Sequence, residues 1–149
     1  MSKQDFIPLL PAGFHPLDWA GLEALCVDPF PSTSSRRALA NQLHALLSEL
    51  RSYGLSGQIW IDGSFVTDKP DPSDIDLIWV PDPACLPQFV ANTGRLDQLF
   101  GTTRGAKAIF QCDAYFVDPD DTHNLAYWRG LFGFCHDAQT PKGLILATL

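Results

Sequence analysis

At 149 residues the chain is long enough for one domain that buries roughly two-thirds of the surface its unfolded form exposes, so neither disulfides nor a structural metal is needed to hold a core. An apolar fraction of 46% beside 18% charged residues excludes a disordered or low-complexity chain. A net charge of -7 without any cluster of lysine or arginine excludes duplex nucleic acid as a partner, while leaving open a small anion held by a few cations.

The N-terminus carries no export signature and no run of 18 apolar residues occurs, which predicts a cytoplasmic protein without a membrane segment. Cys26, Cys85, Cys112 and Cys135 show neither a C-x-x-C spacing nor a histidine at ligand distance, so they read as reduced core thiols rather than zinc ligands.

In chain order, residues 1–31 read as an arm packed on the core with one short helix. The segment "PSTSSRRALANQLHALLSELRSYG" predicts a long helix, capped by its serine and threonine cluster and stopped at Gly54. Gln58 to Asp62 reads as a strand ending in a Gly63-Ser64 turn. Pro70 and Pro72 then hold "FVTDKPDPS" to a loop with at most one helical turn after Ser64. A second strand runs from Ile75 to Val80 and stops at Pro81. Beyond it, one or two short helices broken near Gly94, a strand from about Ala108 to Val117, a helix in "HNLAYWRGLFGF" and a final strand in "GLILATL" complete the reading. The expected fold class is α/β (α+β): a single domain over 1–149 with one small mixed sheet flanked by helices.

Asp74 and Asp76 interrupt an apolar run. Residues two apart on a strand share a face, so the pair would sit side by side and repel unless a cation neutralises it. Mg²⁺ prefers a few carboxylate oxygens completed by water and substrate phosphates. Asp113, a lone charge in "AIFQCDAYFV", is the candidate third acid of a two-metal site. Gly63 lets a ligand approach the backbone, and Ser64 adds a hydroxyl and an N–H suited to a phosphate. Lys69, Arg104, Lys107 and Lys142 are candidate phosphate partners, with Lys142 foremost. Asp62 reads as a strand-end residue, the four histidines as structural or surface groups, and Trp60, Trp79 and Trp128 as core.

The pattern hydrophobic-Gly-Ser, about ten residues, Asp-hydrophobic-Asp, then a later strand bearing one Asp resembles the DNA polymerase β-like nucleotidyltransferase superfamily. The stretches "LLPAGFHPLDW", "IWIDGSFVTDKPDPSDIDLIWV", "YWRGLFGF" and "PKGLILATL" look like its compact bacterial, minimal or antitoxin-like members. Those members often carry arginines in the loop after Gly-Ser, where this chain has Lys69.

The resemblance implies a nucleotidyltransferase-like fold. Asp74, Asp76 and Asp113 would be catalytic and would hold two Mg²⁺, or Mn²⁺ in its place, while Gly63, Ser64, Lys69 and Lys142 would bind the triphosphate. It further implies transfer of NMP from an NTP, ATP foremost, to a hydroxyl of a protein, a tRNA end or a small molecule, in the setting of a toxin-antitoxin or phage-defence pair. Two rivals stand beside it: a catalytically silent binding module or nucleotide sensor, and a phosphohydrolase that uses the same acids on water.

Overall fold

The structure is a computed structural model and describes residues 5–149, so the first four residues of the expected arm lie outside the described residues. Along the chain come β1 (Gly13–Pro16), α1 (Trp19–Cys26), α2 (Arg36–Ser52), β2 (Gly57–Asp62), a 3-10 turn (Ser64–Val66), β3 (Ile75–Pro81) and a second 3-10 turn (Pro83–Cys85). They are followed by α3 (Leu86–Ala91), α4 (Thr93–Phe100), α5 (Gly105–Phe110), β4 (Cys112–Phe116), α6 (Thr122–Phe132) and β5 (Gly143–Thr148). The strands form one five-stranded mixed sheet in the order β1-β5-β2-β3-β4. The outer pairs β1/β5 and β3/β4 are parallel, and the inner pairs β5/β2 and β2/β3 are antiparallel.

Alternation along the strands divides the core into two layers. Ile59, Ile61, Ile75, Leu77, Trp79 and Ile145 point into the larger layer, where they meet Leu39, Leu43, Leu46, Leu47 and Leu50 of α2 and residues of α1, α4 and α5. Each buried leucine contributes about 1.5–3 kcal/mol. The intervening residues Trp60, Ile78, Val80 and Leu144 face the smaller layer, closed by Phe132 and Trp128 of α6. A two-pronged Arg95–Glu49 pair, at 2.9 and 2.7 Å, ties α4 to α2. Among the described residues no helix is long and apolar enough to cross a membrane, and all four cysteines are buried free thiols.

The structure departs from the sequence reading in three places. β1 is an added edge strand, too short and too proline-bound to be seen as one; it exists because Gly13 to Pro16 pair with Gly143 to Leu146. The strand expected from Ala108 begins at Cys112 instead. The preceding residues form α5, whose Ala106 and Phe110, four apart, are buried together, and Gln111 at φ 53° ends the helix. The serines before α2 give it only one long side-chain bond, from the Arg36 N–H to Ser34 Oγ at 3.3 Å. Ser35 is the N-cap residue without a side-chain cap bond.

Those serines bind the loop after β2 instead. Ser34 Oγ donates to the Pro70 carbonyl and Ser35 Oγ to that of Pro72, each at 2.6 Å, and the Ser35 N–H donates to Asp71. Arg36, wholly buried, completes the strap: its guanidinium donates to the carbonyls of Cys26, Ser64, Phe65, Thr67 and Lys69. The Phe30 ring lies 3.7 Å beneath it.

Replacing Arg36 by methionine strips these buried carbonyls of their donor and should lower the unfolding free energy by about 3 kcal/mol or more. Lysine should restore only part of the loss, because an ammonium lacks the planar fork that reaches several carbonyls at once. Urea denaturation followed by tryptophan fluorescence measures both variants.

Candidate functional site: an in-register row of carboxylates

β2 ends where β3 and β4 begin, and the register sets three acids side by side at that end of the sheet. Asp62 lies opposite Asp76, and Asp76 opposite Asp113. Residues directly opposite share a face, with Cα atoms about 4.5–5.5 Å apart. The row therefore runs across three strands on the face of Trp60 and Ile78. Asp74 precedes the first residue of β3 and continues the row from the adjoining loop.

Gly63 fixes how close the middle of this row comes to the β2 turn. Its backbone, at φ 82° and ψ -168°, occupies a region open almost only to glycine. A Cβ built on it would overlap Asp76 Oδ2. Asp76 is thus packed directly against the Gly63 backbone. Ser64 opens the following 3-10 turn, and its carbonyl accepts from Thr67 Oγ1 at 2.7 Å.

Cations lie against Asp62, Asp74 and Asp113. Lys142 Nζ is 3.1 Å from Asp62 Oδ1, Lys107 Nζ is 3.4 Å from Asp74 Oδ2, and Arg104 pairs with Asp113. Burial grades along the row. The side chains of Asp62 and Lys142 are 5% and 11% exposed, those of Asp113 and Asp74 18% and 23%, and those of Arg104 and Lys107 48% and 46%.

At the buried end, Asp62 Oδ1 accepts no well-directed hydrogen bond despite the nearby ammonium. Burial pushes the Asp62 carboxyl from 3.8 up to about 7, against the opposing pull of Lys142 and the Gly63 N–H and with a further push from Asp76. Tyr115 is also raised, first by burial and then by the Asp113 charge. Its ring lies 6.0 Å from the Arg104 guanidinium carbon.

The site residues named from the sequence are partly reunited. Gly63, Ser64, Asp74, Asp76 and Asp113 gather at this end of the sheet, and Lys142 reaches them from the segment before β5. Lys69 turns elsewhere, with Nζ 5.6 Å over the Phe6 ring and its carbonyl bound by Arg36.

The close convergence expected of Asp74, Asp76 and Asp113 is not what the side chains adopt. Among the described residues no three His, Cys, Asp or Glu groups come together as a metal cluster. Carboxylates repel one another, and the outer acids lie against the cations of α5 and its cap. The donor set still suits a hard divalent cation in kind: it is all oxygen and lies on one face.

Sequence reading passed over Asp62 and Arg36. The signal for Arg36 was its place three and four residues before Leu39 and Ala40, in line with the buried stripe of α2. For Asp62 no local signal existed, since its role comes from pairing opposite Asp76.

The chain matches, over residues 3–148, a family of unknown function (DUF6932), and it belongs to that family. No curated protein and no solved structure matches it.

Two outcomes follow from this geometry. Gly63→Ala should cost about 2 kcal/mol or more from backbone strain and overlap with Asp76, read as a lowered midpoint in thermal melting. The raised Asp62 pKa means that the folded state holds a proton between about pH 4 and 7 that the unfolded chain has released. That contribution is full below the unfolded value and is lost as pH rises through about 7. Asp62→Asn should remove this part of the decline in stability, measured by melts from pH 4 to 8.

Proposed function

We propose that the protein is a metal-dependent nucleotidyltransferase that moves a nucleoside monophosphate from an NTP, ATP foremost, to an acceptor hydroxyl. The observation that carries this reading is the in-register row Asp62, Asp76 and Asp113, with Gly63 pressed against its middle member. The resemblance of "IDGSFV…DIDLIWV" to the DNA polymerase β-like superfamily supports the same assignment, as does the placement of its parts at one end of one sheet.

In this proposal Asp74, Asp76 and Asp113 would hold Mg²⁺ or Mn²⁺. Divalent cations bound there supply Lewis acidity toward the α-phosphate and offset the charge that builds on the leaving pyrophosphate. The chain's own residues do the rest. Gly63 lets the Asp76 carboxylate pack against the turn after β2, because any side chain at that position would displace it. Arg36 holds the carbonyls of Ser64, Phe65, Thr67 and Lys69 and so fixes the turn on which the phosphate would rest. Lys142 pairs with Asp62 and offsets part of the cost of burying that carboxyl. Asp113, on the edge strand β4 and partly exposed, is the acid best placed to accept the proton of an incoming hydroxyl.

The acceptor in this proposal is a hydroxyl of a protein side chain, a tRNA end or a small alcohol. The cytoplasmic setting and a toxin-antitoxin or phage-defence partner belong to this proposal. The buried, unpaired thiols support the former.

The ion pairs to Arg104, Lys107 and Lys142 favour a second reading, a binding module that neutralises its own acids and performs no chemistry.

Incubating the protein with Mg²⁺, α-labelled NTPs and cell lysate separates these. Transfer of label to an acceptor, with pyrophosphate released and a loss of at least about 100-fold in Asp76→Ala and Asp113→Ala, is expected of the transferase. Nucleotide binding without turnover would establish the module. Release of free NMP or inorganic phosphate alone would establish a phosphohydrolase.

A further inference from the structure

The two exposed cations of the acid row come from one short stretch. Arg104 is the N-cap residue of α5 and Lys107 lies in its first turn. The helix itself is fixed, because Ala106 and Phe110 are buried in the main core. Both of its flanking residues, Arg104 and Gln111, are non-glycine residues in the left-handed region, at φ 52° and 53°. Such a conformation persists only where the surroundings impose it. α5 is thus held so that its two cations reach Asp113 and Asp74, yet the heads of those side chains remain about half exposed. An anchored base with free heads suits a group that changes partners.

Charge decides what the second partner is. A divalent cation on the row would stand beside the Arg104 guanidinium and the Lys107 ammonium and compete for the same carboxylate oxygens. With like charges this close, one must leave. A triphosphate arriving with the cation places several anionic oxygens just outside the row, within the sweep of two long side chains. Arginine meets such oxygens with paired donors and lysine as a point charge.

From this we infer that Arg104 and Lys107 are exchangeable counter-ions. They neutralise Asp113 and Asp74 in the resting protein and pass to the triphosphate when a metal–nucleotide complex binds, so that metal and nucleotide each bind weakly alone and tightly together. This rests on the nucleotidyltransferase reading for the identity of the anion, but the competition between these cations and a divalent ion is independent of it.

The test measures binding, not turnover. Mn²⁺ alone is titrated into the wild-type protein and into Arg104→Gln/Lys107→Gln, by electron paramagnetic resonance of free Mn²⁺. The titration is then repeated with a saturating α,β-methylene ATP analogue. In the double variant Mn²⁺ alone should bind about 10-fold tighter, while the analogue, titrated by calorimetry in the presence of Mn²⁺, should bind about 10-fold weaker. Opposite signs in one variant are not expected of a segment that is merely structural. Arg104→Lys, which keeps the charge, should return Mn²⁺ affinity toward wild type. Should the double variant fold poorly, as judged by its melting curve, Lys107→Gln alone takes its place, with the same two signs expected at smaller size.

Unchanged or weaker Mn²⁺ binding in a folded double variant overturns the exchange. So does analogue binding that the substitutions leave untouched. If the wild-type protein binds no analogue, the transferase reading and the second half of the exchange fail together, while the Mn²⁺ comparison still decides the first half.

Discussion

The buried Arg36 guanidinium is the interaction on which the rest of this end of the molecule depends. It donates to carbonyls from the end of α1 and from the chain just after β2, and Phe30 covers its face. The segment it binds is irregular and is held otherwise by hydrogen bonds from Ser34, Ser35 and Ile7. Residues 67 to 74 contain two prolines and no regular strand or helix, so their carbonyls would otherwise face the interior without donors. Supplying several donors from one rigid group lets the chain bury an irregular loop beside the core. The loop in turn delivers Asp74 and the start of β3 in the register that sets Asp76 opposite Asp62. Desolvation holds the Arg36 pKa down, opposed by Cys26, Asp68 and Asp71, yet a guanidinium starts so high that it stays charged.

The acid row shows a second constraint, imposed by charge. Four carboxylates at one end of a sheet in a chain of net charge -7 would repel one another strongly. The protein meets this with cations drawn from separate parts of the sequence: Lys142 before β5, and Arg104 and Lys107 at the start of α5. None of them lies in the loop after Gly63-Ser64. Lys69, the one basic residue of that loop, is engaged with Phe6. The cations that face the row come from elements that only the fold brings near.

How much of this was legible in the sequence follows from the range over which each signal acts. The α2 helix and the strands β2, β3 and β5 are written in local periodicity, and the Gly63-Ser64 turn with Asp76 is written in a spacing that depends on one hairpin-like return. β1 was hidden because a four-residue edge strand is defined by its partner, Gly143 to Leu146, and not by its own composition. α5 was misread as strand because Ala108 to Phe110 are β-tolerant residues, and burial of Ala106 with Phe110 decided the matter. The serines ahead of α2 have the chemistry of a cap, but Pro70 and Pro72 offered their hydroxyls carbonyls elsewhere. Asp62 and the pairing of the three cations with the acids could not be read, since the partners lie from 9 positions apart, as Arg104 and Asp113 do, to 80, as Lys142 and Asp62 do.

The row also has two unlike ends, and the difference is one of solvent. At the Asp62 end both members of the pair are buried, so water cannot take the place of either partner. Separating them would leave an uncompensated charge in a medium that penalises it heavily, which makes this pair a fixed feature of the folded state. At the Asp113 and Asp74 end the cations are half exposed, water screens the attraction, and each pair is worth little by itself. A weak pair is easily exchanged. The same sheet therefore offers one carboxylate whose partner is permanent and two whose partners are replaceable, with Asp76 between them against Gly63. A fixed, buried pair beside exchangeable positions is what a site needs if a cation is to enter and leave without disturbing the core that positions it.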